Sequence, residues 1–162
     1  MRLTAEHQEI ILAHYRTPHH SGLREPYDVE VQRFNPTCGD ELTLRVRRKG
    51  EGEKATIEDV SYQVQGCSIS QASVSVMTDL VIGRTAREAE ELHTEIAALL
   101  RDRASEVGGA WPSHLGDAAA FRDVSHHPAR IKCALLCWTA LRQALSCPNG
   151  PLQEVTSEST TP

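Results

Sequence analysis

Aromatic residues are scarce in this sequence. Two tryptophans, three tyrosines and two phenylalanines make up 4% of its 162 residues. The hydrophobic core must therefore consist mainly of aliphatic side chains. Basic charge is also in short supply, since the formal net charge is −5 and the isoelectric point is near 5.9. This balance disfavours nucleic acid and anionic membranes as partners, because both attract a basic surface.

The sequence also lacks a long apolar segment. No run of about 18 apolar residues occurs, so we predict no transmembrane helix. The opening segment MRLTAEHQEIILAHYR is amphipathic and charged, without the continuous apolar stretch of a secretory signal peptide. We therefore expect a cytoplasmic protein whose thiols are reduced.

Cysteine occurs five times, an odd number that intramolecular disulfides alone cannot pair. No two of these cysteines form a C-x-x-C pair. In a reducing compartment such thiols bind a metal, carry out thiol chemistry or fill the core as small apolar groups.

The length fits one domain of ordinary size, and the hydrophobic patterning predicts an α+β fold. Alternating segments near residues 29–33, 42–47 and 57–64 predict a small antiparallel three-stranded sheet packed with helices. The capping signals predict helices that begin after Thr4, near Ser68 or Ser70, at the Thr85–Glu88 capping box and at Cys133. We expect residues 1–150 to form this single domain and residues 151–162 to form a disordered tail.

Three cysteines lie where predicted elements meet. Cys38 is in the turn between two strands, Cys67 separates a strand from a helix, and Cys133 opens the last helix. Asp40 follows Cys38 by two residues, so in an extended turn both side chains point the same way. Three thiolates and one carboxylate would suit tetrahedral Zn²⁺, and soft thiolates also admit iron–sulfur chemistry. The spacing is equally compatible with cysteines that simply fill the core.

The remaining thiols and the histidines have plainer interpretations. Cys137, one helical turn after Cys133, is predicted to be a core residue, and Cys147 a surface thiol at a helix end. The histidine pairs at residues 19–20 and 126–127 are predicted to be solvated loop residues, with the second pair close enough to Cys133 to support a site there. The other histidines, His14 among them, are assigned to the surface or the core.

Several motifs match a known family. The segments NPTCGD (35–40), GCSIS (66–70) and RIKCA (130–134), with the opening helix IILAHYRTP (10–18), resemble the SufU/IscU-type iron–sulfur cluster assembly proteins. The resemblance spans about residues 5–147. Two features are similar to the SufU branch. Lys132 stands where IscU-type scaffolds carry a histidine, and an insertion covers about residues 104–123.

The resemblance implies a zinc ion held by Cys38, Asp40, Cys67 and Cys133. It also implies a sulfurtransferase that accepts persulfide sulfur on Cys38 from a SufS-like, pyridoxal-phosphate-dependent cysteine desulfurase and passes it to a downstream assembly scaffold. Arg130 would support the partner interaction. The alternative is a scaffold that holds an iron–sulfur cluster on the same four ligands, and a third possibility is a purely structural zinc.

Overall fold

The computed structural model describes residues 3–36, 39–101 and 111–147, together with the backbone of residues 153–158. Its elements follow the chain in a β-rich first half and a helical second half. In order they are α1 (Ala5–Arg16), β1 (Val29–Asn35), β2 (Asp40–Lys49), β3 (Thr56–Gln65), α2 (Ser68–Val81), α3 (Ala86–Arg101), a 3-10 segment (Ser113–His126), α4 (Pro128–Ser146) and β4 (Gln153–Glu158). A single 3-10 turn, Gly52–Lys54, connects β2 to β3.

The predicted antiparallel sheet of three strands is confirmed. β2 pairs antiparallel with both β1 and β3, so that Val31, Leu44 and Tyr62 lie in one row across the strands. All three side chains are fully buried. The alternation of apolar and polar residues thus turns one face of the sheet towards the helices, with α4 lying across β1 and β2 and α2 packing against α1 and α4.

A fourth strand extends this sheet where the sequence predicts a disordered tail. Over Gln153–Glu158 the chain pairs parallel with β1 and gives the strand order β3-β2-β1-β4. The outer edge of β1 presents unpaired backbone N–H and C=O groups, which a polar segment can satisfy through main-chain hydrogen bonds alone. The amino-acid composition of the segment does not reveal this kind of pairing, because main-chain hydrogen bonds depend little on side chains.

Local capping signals are reproduced at two helices. The Thr4 hydroxyl accepts a hydrogen bond from the His7 amide at 3.2 Å, which begins α1 as predicted. At the start of α3 the Thr85 amide donates to the Glu88 carboxylate at 3.1 Å, and the Glu88 amide donates to the Thr85 hydroxyl at 3.2 Å. This reciprocal pair is the predicted capping box.

One predicted helix cap, that of α2, and one predicted helix start, that of α4, are wrong. Helix α2 takes Cys67 itself as its N-cap residue, not Ser68 or Ser70. Helix α4 begins at Pro128, so Cys133 lies in its second turn and not at its N-terminus. The helix dipole therefore acts on Cys67 but not on Cys133, since its effect fades after the first turn.

The predicted insertion at about residues 104–123 contains helical structure where the chain is described. Ser113–His126 forms 3-10 helix interrupted at Gly116, whose φ is 52°. Leu115 and Phe121 from this segment are buried in the core. Residues 102–110 lie outside the described part of the chain. None of the helices in the described residues is both long and apolar enough to cross a bilayer.

Candidate metal centre

Three of the four predicted ligands meet at one end of the sheet. Asp40 is the first residue of β2, and the antiparallel pairing places it next to the end of β3, from which the chain leads into Cys67. Helix α4 packs over the same end and contributes Cys133. One carboxylate oxygen of Asp40 and the sulfur atoms of Cys67 and Cys133 lie within 4.8 Å of one another. Cys38, the fourth predicted ligand, lies outside the described residues.

The Asp40 carboxylate is buried, with 1% of its surface exposed. Its Oδ1 accepts a hydrogen bond from the Cys67 amide at 3.2 Å. Its Oδ2 is buried and finds no hydrogen-bond donor among the described residues. A buried carboxylate oxygen without a donor is costly. The arrangement therefore fits a site that a cation would complete.

Gly66 makes room for this carboxylate. A Cβ atom at this position would lie 2.3 Å from Asp40 Oδ1 and 2.6 Å from Ser70 Oγ, well inside van der Waals contact. Both neighbours are buried and held by hydrogen bonds, Asp40 to the Cys67 amide and Ser70 to the Cys67 carbonyl. Sequence reasoning took Gly66 only as part of a motif and missed its steric role.

The electrostatics favour a thiolate at Cys67. A hydrogen bond with Cys133 lowers the pKa of Cys67 to about 5, and hydrogen bonds from Ser70 act in the same direction, whereas burial opposes them. Cys67 also caps the N-terminus of α2, where unpaired amides stabilise negative charge. The thiolate is the form that binds metals and attacks sulfur.

Arg130 places a positive charge against the two sulfur atoms. Its guanidinium hydrogen-bonds to Cys67 and Cys133, and the negative charge on these thiols raises the pKa of Arg130. Arg130, with His126 and His127, also lines a cavity of about 430 Å³ beside Cys67. The second histidine pair thus borders the site, but neither ring belongs to the donor group within the described residues.

The other two described cysteines lie apart from this group. Cys137 belongs to the hydrophobic core, as predicted, and its sulfur lies 3.4 Å from Ser73 Oγ. Burial raises the pKa of Cys137 to about 12, which leaves it protonated and inert at neutral pH. Cys147 is half-buried at the end of α4. One turn of helix therefore separates a cysteine of the donor group from a core cysteine.

Fold and site together define a small α+β protein with a candidate thiolate–carboxylate metal centre. Comparison with known proteins agrees. Residues 6–134 match the family described as the NifU-like N-terminal domain. The chain therefore belongs to this family.

The relatives carry two kinds of name. A Streptococcus pyogenes protein named iron–sulfur cluster assembly scaffold protein IscU is 34% identical over 89% of this chain and 85% of its own length. A Bacillus subtilis protein named zinc-dependent sulfurtransferase SufU is 32% identical over 89% and 92%. The crystal structure of FiSufU from Fervidobacterium islandicum superposes with a TM-score of 0.68 at 31% identity and covers 85% of this chain and 95% of that one. These likenesses place the chain in the SufU/IscU family of iron–sulfur cluster assembly proteins and support its SufU-type branch.

Proposed function

We propose that this protein is a zinc-dependent sulfurtransferase of iron–sulfur cluster assembly, which accepts persulfide sulfur on Cys38 from a pyridoxal-phosphate-dependent cysteine desulfurase. The observation that carries the proposal is the donor group of Asp40, Cys67 and Cys133. Cys38 precedes Asp40 by two residues, and covalent geometry alone keeps their Cα atoms within about 7 Å. The Bacillus subtilis relative named a zinc-dependent sulfurtransferase supports the same function.

The donors match what zinc requires. Zinc prefers four ligands drawn from thiolate, imidazole and carboxylate, and the thiols of Cys38, Cys67 and Cys133 with the Asp40 carboxylate would supply four. The low pKa of Cys67 and the unpartnered Oδ2 of Asp40 both favour a bound cation. Bound zinc would keep these thiols deprotonated at neutral pH.

The proposed sulfur transfer is a displacement at sulfur. The Cys38 thiolate attacks the terminal sulfur of the desulfurase persulfide. A new sulfur–sulfur bond forms on Cys38, the old one breaks, and its electron pair leaves with the desulfurase thiolate, so that no oxidant or reductant is needed. Arg130, which already contacts two sulfur atoms, would attract the anionic persulfide into the adjoining cavity. The sulfur would then pass to a downstream assembly scaffold.

The second candidate function is a scaffold that assembles a cluster on the same four ligands. The relative named IscU scaffold, at 34% identity, favours it. Anaerobic reconstitution with iron and sulfide separates the two. If a stable cluster forms and passes to an apo-acceptor faster than the zinc-loaded protein delivers sulfur, the scaffold is the better description.

The sulfurtransferase proposal is tested with zinc-loaded protein, a cysteine desulfurase and cysteine. We expect stimulation of desulfurase turnover and a mass increase of one sulfur atom on Cys38. Cys38→Ala should abolish both, whereas Cys147→Ala, which removes a half-buried thiol elsewhere, should preserve both. Full stimulation by Cys38→Ala would show that another residue accepts the sulfur. If no cysteine carries a persulfide and the protein unfolds when a chelator removes the zinc, the zinc is structural.

A further inference from the structure

A second group of metal-binding side chains lies at the opposite end of α2. His14 comes from the last turn of α1, His19 from the loop that follows, and Asp79 from the last turn of α2. One ring nitrogen of each histidine and one carboxylate oxygen of Asp79 lie within 4.8 Å of one another. The sequence interpretation assigned these histidines to solvent or core, because their common neighbour Asp79 is sixty residues away.

We propose that His14, His19 and Asp79 form a second binding site for a divalent first-row transition metal, with Zn²⁺ as its probe. Two imidazoles and a carboxylate are donors that suit zinc, iron, nickel and copper, and they leave at least one coordination position open. The proposed sulfur transfer uses none of these residues, so this inference stands independently of that function.

His14 is oriented as a metal ligand would be. Its side chain is buried, and its Nε2 lies 2.8 Å from Asp117 Oδ2. A carboxylate in this position accepts a hydrogen bond from Nε2–H, which holds the proton on Nε2 and leaves the lone pair on Nδ1, the usual arrangement behind a ligating histidine. Nδ1 lies 2.7 Å from Ser75 Oγ, which also accepts the backbone N–H of His19 at 2.8 Å. This lone pair accepts the Ser75 hydroxyl, so a metal ion at Nδ1 would replace Ser75 as the partner of His14, on the side where His19 is anchored.

His19 is held in place from two directions. Besides its amide bond to Ser75, its carbonyl oxygen accepts the Tyr62 hydroxyl at 2.8 Å. The ring lies with its centroid 4.7 Å from that of His14, and its Nδ1 is 2.6 Å from Asp79 Oδ2. A backbone fixed by a buried serine and tyrosine presents the imidazole with little ordering left to be done on metal binding.

The three donors need only a small adjustment to share an ion, in which His19 Nδ1 and Asp79 Oδ2, now 2.6 Å apart, separate slightly and both approach His14. Bonds of about 2.0–2.1 Å in tetrahedral geometry place ligand atoms roughly 3.3–3.5 Å apart. His14 is fixed, but the side chains of His19 and Asp79 are 48% and 39% exposed and can turn towards it. His20 adds a reserve donor, since its Nδ1 lies 3.8 Å from the other oxygen of Asp79.

The two sites are far enough apart to be removed separately. Cys67 and Asp79 lie twelve residues apart along α2, which corresponds to about 18 Å along the helix axis. Their donors also differ. Co²⁺ bound to thiolates gives intense thiolate-to-metal charge-transfer bands, whereas Co²⁺ bound to imidazole and carboxylate gives only weak visible bands.

The test measures metal bound per chain in the full-length protein, equilibrated with buffered Zn²⁺ and, separately, with Co²⁺. We expect a second ion that adds no thiolate charge-transfer band and whose affinity falls more than 100-fold in His19→Gln and Asp79→Asn. Cys67→Ser should keep this ion. His114→Gln, which removes an exposed histidine paired with Glu95 outside the group, should keep it too.

Three outcomes would overturn the proposal. The first is that the wild-type protein binds no second ion at any Zn²⁺ concentration that leaves it soluble, which would make His19–Asp79 an ordinary ion pair. The second is that His19→Gln and Asp79→Asn bind the second ion as tightly as the wild type does. The third is that the second ion disappears in His114→Gln, which would locate it elsewhere. Loss of persulfide on Cys38 would contradict only the sulfurtransferase and leave this site untouched.

Discussion

The two ends of helix α2 carry different donors in different surroundings. At the N-terminal end, Asp40, Cys67 and Cys133 combine two sulfur atoms with a carboxylate, and Asp40 and Cys133 are fully buried. At the C-terminal end, His14, His19 and Asp79 combine two imidazoles with a carboxylate, and only the first is buried. The N-terminal group, here called the sulfur end, is thus enclosed and has soft donor atoms. The C-terminal group, the imidazole end, is open and its donor atoms are of intermediate hardness.

The helix itself contributes to this difference. Its N-terminus favours negative charge and so favours the Cys67 thiolate, whereas its C-terminus favours a cation beside Asp79. One helix can therefore organise a thiolate site and a nitrogen–oxygen site at its opposite ends. The comparison indicates that residue type alone does not decide which cysteine or histidine is a candidate ligand. The groups that each side chain faces decide it. Cys133 and Cys137 are both buried and lie one turn apart, yet only Cys133 faces Asp40 and Cys67.

The largest expected effect is the difference in reactivity between the Cys67 thiolate and the buried Cys137 thiol. In folded, zinc-free protein at pH 7, we expect Cys67 to be alkylated about 1,000-fold faster than Cys137, because only the thiolate reacts and burial shields Cys137. The pKa of Cys67, about 5, implies a rate that is constant between pH 8 and 6 and falls as the pH drops through 5. Mass spectrometry of the alkylated peptides measures both rates.

The result that would contradict this contrast is a Cys67 rate that rises tenfold per pH unit from pH 6 to 8. Such a rise would mean an ordinary thiol pKa and no special electrostatics at the N-terminus of α2. Ser70→Ala is the matched variant, because it removes a side-chain hydrogen bond that lowers the pKa of Cys67 and should move the fall in its rate to a higher pH, with no change at Cys137.

An intermediate effect is expected from Gly66→Ala. The new methyl group would displace the Asp40 carboxylate, weaken zinc binding at the sulfur end by roughly 100-fold and cost about 1–3 kcal/mol in the free energy of unfolding. Competition with a chelator and denaturant unfolding measure the two quantities. Gln65→Ala, the exposed neighbour on β3, should change neither. Unchanged zinc affinity in Gly66→Ala would show that Asp40 does not contribute to the site. Metal binding at His14, His19 and Asp79 should be the same in both variants.

Much of the fold was predictable because its signals are local. Alternation marked the three antiparallel strands, and Thr4 and the Thr85–Glu88 pair marked helix starts through hydrogen bonds within one turn. The start of α4 was missed because His127 makes no side-chain capping bond, and Pro128 at the first position was the one available signal. β4 was missed because main-chain pairing to an open edge leaves no compositional trace.

The two candidate metal sites also differ in how far the sequence could predict them. Cys38, Asp40, Cys67 and Cys133 were grouped through a family resemblance, since their spacing alone left a core-filling interpretation open. His14, His19 and Asp79 share no motif, and only the packing of α1 against α2 brings them together. Donors that meet through tertiary packing are not visible in a single sequence.

The smallest expected effect tests whether Asp117 orients His14 without binding the metal itself. Asp117→Asn keeps the shape of the side chain but removes the charge that holds the Nε2 proton. We expect the affinity for the second Zn²⁺ to fall about 10-fold, as is usual when the carboxylate behind a ligating histidine is lost. Zinc at the sulfur end and the persulfide yield on Cys38 should not change. Because Asp117 is half-exposed, the variant should fold normally, which circular dichroism checks. A loss as large as that of Asp79→Asn would instead make Asp117 a direct ligand, and no loss would mean that Ser75 alone positions the ring.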